Sequence, residues 1–148
     1  MLSRLSWSIF WALVATFTVI VSWFFVAATN EFARGFPFLV FLASSGFVFF
    51  SLGITLIVIT VKEKVGGRLS KFLILTGAAA TGIPVSIILH NAIYGLFIHW
   101  FGTDFWDRIG LGDEPFFFVM AIFICPVAFL VGTVGSIVLA IKRGRKTT

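Results

Sequence analysis

The run FLILTGAAATGIPVSIILHNAIYGLFIHW, residues 72–100, contains no Asp, Glu, Lys or Arg. An α-helix needs about 20 mostly apolar residues to cross the roughly 30 Å of hydrocarbon in a bilayer, and this run is longer than that. Three further runs meet the same requirement: Trp7 to Thr29, Phe36 to Val61 and Pro115 to Ile141. With 59% hydrophobic and only 11% charged residues, the chain lies outside the composition of water-soluble folds. The expected architecture is therefore all-α, a polytopic four-helix transmembrane bundle forming a single domain over 1–148. The last three runs are long enough to require tilt or ends that reach into the headgroups.

Basic residues resist translocation, so their distribution sets orientation. Arg4, Lys62, Lys64, Arg68, Lys71, Lys142, Arg143, Arg145 and Lys146 fall at one end of the bundle, against Arg34 and Arg108 at the other. Glu31, Asp104, Asp107, Asp113 and Glu114 fall at the second end, and only Glu63 at the first. Both termini are thus expected in the cytoplasm, and the expected location is the plasma membrane of a prokaryotic cell. The net charge of +5 belongs to this asymmetry and does not imply nucleic-acid binding. Arg4, the first apolar run and Ala27-Ala28 loosely resemble a cleavable signal peptide. That run is longer than a signal core and contains Trp7, Trp11 and Trp23, which favours a retained span. Trp7 and Trp11 are expected at the inner interface, and Trp23, Trp100 and Trp106 at the outer one.

Short connections make sequential helices antiparallel neighbours. Asn30 to Gly35 joins the first two, and Lys62-Glu63-Lys64-Val65-Gly66-Gly67-Arg68 joins the next two through a paired-glycine turn. The connection from Phe101 to Glu114 alternates apolar residues with acids and suggests a short interfacial helix, started by Thr103 or Asp104 and ended by Gly110. Asp113-Glu114-Pro115 is an acidic cap followed by proline in the first turn. Asp104 and Asp107 fall short of the six or more oxygens that calcium wants, so solvated or capping roles are favoured over a metal site. Ile57-Val58-Ile59-Thr60-Val61-Lys62 and Ile137-Val138-Leu139-Ala140-Ile141-Lys142 are alike, and Pro37 and Pro115 sit near the starts of their spans. Chance similarity between apolar segments accounts for this more readily than duplication.

In the third span, Ala78, Gly82, Ser86, His90 and Tyr94 recur every four residues on a slowly rotating face, with Asn91 beside it. Small residues let backbones approach, and polar ones need partners in hydrocarbon, so this face is expected to point into the bundle. Pro84 and, in the fourth span, Pro126 predict kinks. Ala128, Gly132, Ser136 and Ala140 form a second small-residue row. Ser86, His90, Asn91 and Tyr94 are the candidate intramembrane polar site, with interhelical hydrogen bonding favoured over ligand binding.

Several chemistries find no support. His90 and His99 are nine residues apart, about 900° along a helix, so they cannot clamp one haem. Ser86 and Cys125 lack a nucleophile motif, and no Asp or Glu lies within a span. A lone cysteine excludes an internal disulfide. The Phe-rich stretches, Phe47 to Phe50 and Phe116 to Phe118, are expected to face lipid or fill the bundle. The basic cluster from Lys142 to Lys146 is sufficiently explained as an anchor, with attraction to anionic lipid optional.

No cofactor, metal or catalytic residue is expected. The leading reading is a non-enzymatic accessory or self-associating membrane subunit, with membrane lipids and a second copy or a partner subunit as its contacts. A small oligomeric transporter or channel using the polar face around His90 is the alternative, and a lipid- or quinone-linked enzyme or redox anchor the third. The orientation is directly testable: a reporter fused to the carboxyl end should be active in the cytoplasm and shielded from protease added to intact cells, and labelling it from outside would reverse the topology.

Overall fold

The computed structural model describes residues 4–31 and 36–145, the side chains of 36 and 37 excepted. Arg34, Gly35 and Lys146, on which part of the loop and charge reading rests, lie outside the described residues. Four helices are long and apolar enough to cross a membrane. They are α1 (Arg4–Thr29), α2 (Phe36–Lys62), α3 (Arg68–Phe101) and α5 (Pro115–Gly144). A single turn, α4 (Phe105–Arg108), lies between the last two and corresponds to the interfacial helix expected there. The described residues contain no strand. The helices extend one to four residues beyond the expected limits; α3, at 34 residues, is about 50 Å long and so outruns the hydrocarbon.

Helix α3 is the centre of the bundle, packed against α2 on one side and α5 on the other, while α1 packs on α2. The core consists of Phe10 and Leu13 of α1, Phe49 and Leu56 of α2, Leu69, Leu73, Ala79 and Ala80 of α3, and Phe129 of α5. Nearly all of these belong to the half of each helix nearest the basic end. Phe49 is buried there, in contrast to the exposed Phe47, Phe116 and Phe118, so only part of the Phe-rich stretches faces outward. Phe129 is the keystone: its ring centroid lies 4.5 Å from that of Phe17 and 5.4 Å from that of Phe49. Such aromatic pairs each contribute roughly 0.5–1.5 kcal/mol.

In lipid there is no hydrophobic force between helices, so close contact itself must hold them together. The α2–α3 crossing achieves this by omitting side chains. A Cβ added to Gly53 would lie 2.8 Å from the Gly77 carbonyl oxygen, and one added to Gly77 would lie 2.7 Å from that of Gly53. The α3–α5 contact is built alike, with Gly132 against the backbone of Thr76 and Phe72, and the Phe72 ring lying on Gly135.

The basic end is tied by polar bonds. Ser6, fully buried, donates from Oγ to Glu63 Oε2 at 2.7 Å, and Arg143 donates to the Gly66 carbonyl at 2.7 Å. The start of α1 and the end of α5 are thereby fixed to the α2–α3 loop, so both described ends of the chain lie together. Helix α2 ends in paired bonds from Lys64 N to Val61 O and from Val65 N to Thr60 O, which require a left-handed residue at Lys64 (φ 48°). The paired glycines therefore share the reversal with a lysine.

The glycine contacts predict a position-dependent result. Gly53→Ala and Gly77→Ala should each destabilise the protein by about 1–3 kcal/mol in detergent unfolding, the usual penalty for overpacking. Gly46→Ala and Gly95→Ala, where nothing lies within 4 Å of the added carbon, should be neutral or slightly stabilising.

Candidate functional site

At the acidic end, α3 stops at Gly102, whose φ of 97° suits a residue without Cβ and whose N–H bonds back to Ile98. The reversal folds α4 against the last turns of α3. Trp106 is buried there, its Nε1–H donating to the Tyr94 carbonyl at 3.3 Å and its ring stacked on that of Tyr94 at 5.8 Å and 8°. Phe97 packs against Phe101, Phe105 and Trp106. Trp106 is thus part of the fold, because the short α4 turns its indole inward. Trp100, by contrast, is 64% exposed.

Asp104 precedes α4 without capping it by its side chain; its carboxylate pairs with Arg108 at 3.3 Å, and Arg108 also donates to the Phe101 carbonyl. Glu114 is the N-cap of α5 and accepts from Phe116 N and Phe117 N, each at 2.9 Å, with Pro115 in the first turn. The cap expected from Asp113-Glu114-Pro115 is therefore present, Asp113 Oδ1 accepting from Glu114 N at 2.7 Å.

The same Glu114 meets His90. His90 Nδ1 is 3.1 Å from the Glu114 carbonyl oxygen and 3.3 Å from Oε2, while Nε2 is 3.6 Å from Asp113 Oδ2. Both partners of Nδ1 only accept, which assigns the imidazole proton to Nδ1. The Asp113 contact becomes an ion pair only when the ring carries a second proton. The Glu114 side chain is 6% exposed and that of His90 18%, against 54% for Asp113. His90 also stacks with Tyr94, and the Phe118 ring lies 5.8 Å from it. The result is a continuous column from Glu114 through His90 and Tyr94 to Trp106, which locks the end of α3 to the start of α5.

The four residues expected to form one polar site divide. His90 and Tyr94 belong to this column. Ser86 is buried a turn below, on the side of α3 that faces Cys125 of α5. Asn91 is exposed, and its amide donates to the Ile87 carbonyl of its own helix at 2.8 Å. Ala78 is exposed as well, so the four-residue row does not face the bundle along its whole length. Each four-residue step turns about 400°, so the row drifts about 40° per step, or about 160° between Ala78 and Tyr94. Near Ala78 the bundle-facing positions are instead Thr76, Gly77 and Ala80. Gly82 does face inward, against Cys125 Sγ.

On α5, Gly132 and Ser136 are buried and Ala128 and Ala140 half-buried, so that row packs as a seam. The Ser136 and Thr133 hydroxyls are buried without a partner among the described residues. Helix α3 remains helical through Pro84, and α5 answers Pro126 with a π-helical turn at Met120–Ile124, closed by Cys125 N–H to Met120 O. His99 is exposed. Among the described residues no group of three or more His, Cys, Asp or Glu side chains is arranged to hold a metal ion.

Burial of Glu114 against His90 was not apparent from sequence, although a capping acid at the start of one helix and a histidine near the end of its neighbour, both at the outer end, were a usable signal. The chain matches no protein-family model, no curated protein and no solved structure.

The column predicts graded sensitivity. Glu114→Ala removes a cap worth about 1 kcal/mol and orphans His90, for a total loss of about 2 kcal/mol; His90→Ala should cost less, and Asn91→Ala should stay within about 0.5 kcal/mol of wild type in the same unfolding assay.

Proposed function

We propose that this chain is a non-enzymatic subunit of the membrane, oriented with its basic end toward the cytoplasm, that acts by associating with transmembrane helices of a second copy or of a partner protein. The observation that carries this reading is the unequal packing of the two halves. Beyond Leu13, the only buried residue of α1 is Ala27, and the described part of α2 before Phe49 has none. There α1 and α2 touch mainly through Trp23–Phe41 and Phe24–Phe38. Between them runs an open groove of about 350 Å³, lined by Ala15, Thr16, Val19, Ser44, Ser45 and Val48.

Small and hydroxylated residues are what helix–helix interfaces in membranes use, whereas a surface that meets only acyl chains has no need of them. The glycine contacts at Gly53, Gly77 and Gly132 are consumed inside the chain, whereas this groove is a small-residue surface still open to another helix.

The polar residues support the same reading. Glu114 is occupied by its helix cap and by His90, and Asn91 by its own helix. A transport path through His90 is less well supported, because Ala79, Ala80, Phe49 and Phe129, all at most 5% exposed, close the bundle on the way to the basic end.

The test is cross-linking in native membranes. In a Cys125→Ser background, Ser44→Cys should form oxidative cross-links several-fold more readily than Val127→Cys on the exposed face of α5. A homodimer identifies a second copy and a heteromer a partner; monomer only, or equal cross-linking of both variants, overturns the reading.

A further inference from the structure

The basic end contains a second groove, of about 220 Å³, between the start of α3 and the end of α5. It is lined by Arg68, Leu69, Leu139, Lys142 and Arg143. Three cations therefore converge on one concavity. Among the described residues, none of the three takes part in an ion pair. The one acid at this end, Glu63, accepts from Ser6 on the other side of the loop. Like charges held this close repel each other, and an anion between them removes that repulsion.

Local geometry favours the same occupant. Arg143 is held by its bond to the Gly66 carbonyl and stands over the loop, its Nη2 3.3 Å from where a Cβ on Gly67 would lie. Helix α3 begins after Gly67 without a side-chain cap, so the positive end of a 34-residue helix lies at the same end of the molecule as the groove. The remaining lining is Leu69, 2% exposed, which closes the groove against the core, and the half-buried Leu139, which gives it an apolar edge. A free anion has no use for that edge, whereas a lipid phosphate carries acyl chains to it.

We propose that this groove binds the phosphate of an anionic phospholipid in the leaflet at the basic end. Arg68, Lys142 and the free edge of the Arg143 guanidinium hold the phosphate, and Leu139 meets the glycerol and upper acyl carbons. Basic pockets between transmembrane helices are a recurrent solution for such headgroups. The proposal does not depend on the association reading above, which concerns the α1–α2 groove.

The experiment uses the full chain in neutral detergent, with bound lipid counted by native mass spectrometry during titration with phosphatidylglycerol, phosphatidylcholine or inorganic phosphate. Wild type should bind phosphatidylglycerol saturably and in preference to phosphatidylcholine. The double variant Arg68→Gln with Lys142→Gln should bind roughly tenfold or more weakly, as expected for the loss of two phosphate contacts. The double variant Arg4→Gln with Lys62→Gln removes the same charge elsewhere and should bind as wild type does. Arg68→Lys with Lys142→Arg should retain binding, which separates loss of the site from loss of the fold. Equal weakening in both Gln pairs would mean diffuse attraction and overturn the proposal, as would displacement of the lipid by an equal concentration of inorganic phosphate.

Discussion

Within hydrocarbon no peptide N–H or C=O can turn to water, so every one must be satisfied inside the protein. The local structure follows from this constraint. Hydroxyls along the spans bond back to their own helices, Thr16 to Ala12, Ser44 to Val40, Thr60 to Leu56 and Thr81 to Gly77 among them. Pro126 cannot donate, and the π turn before it rearranges the carbonyls one residue out of step without breaking α5. Glu114 does the same work at a helix start, its two oxygens taking the N–H groups of Phe116 and Phe117. A buried carboxylate at a membrane surface is costly unless its lone pairs are used, and here His90 also bonds it. The one acid brought against a spanning helix is thus a structural cap first.

The two ends of the bundle are held by different physics. At the basic end, backbones approach through Gly53, Gly77 and Gly132 and large side chains fill what remains, so dispersion over short distances provides the adhesion. At the acidic end α3 and α5 are joined by a polar bridge and aromatic stacking, while the α1–α2 pair continues without burying comparable surface. Such a body is closely packed around Gly53, Gly77 and Gly132 and comparatively open elsewhere. The less closely packed half of the bundle is therefore the one nearest the acidic end.

How much of this could be read from the residues depended on range. The four spans were legible because hydropathy acts over windows of some 20 residues, and their ends were misjudged by only a few. The α5 cap was legible because Asp113, Glu114 and Pro115 act on the next turn. Facing was much less so: a row at four-residue spacing drifts around the helix, so Ala78 lies outward while Ser86 and His90 lie inward. Asn91 and His90 are adjacent and both polar, yet nothing local distinguishes the one that bonds its own helix from the one that reaches across 24 residues to Glu114. Trp106 shows the same limit, since its burial depends on how Gly102 turns the chain.

Charge was legible as a count, and its pairing was not. Acidic-end carboxylates are absorbed locally, Asp104 by Arg108 and Glu114 by its cap, so the excess there is partly neutralised within the protein. Arg68, Lys142 and Arg143 have no such partners among the described residues and are drawn together by the α3–α5 contact. The Gly132–Thr76 approach that packs the bundle therefore also concentrates cations at its edge, as bringing two helix ends together brings their flanking residues together. Orientation needs only the number of these charges, wherever they sit. Their convergence beside the uncapped start of α3 goes beyond that requirement, and it gives the anion-attracting end of the molecule a shape as well as a sign.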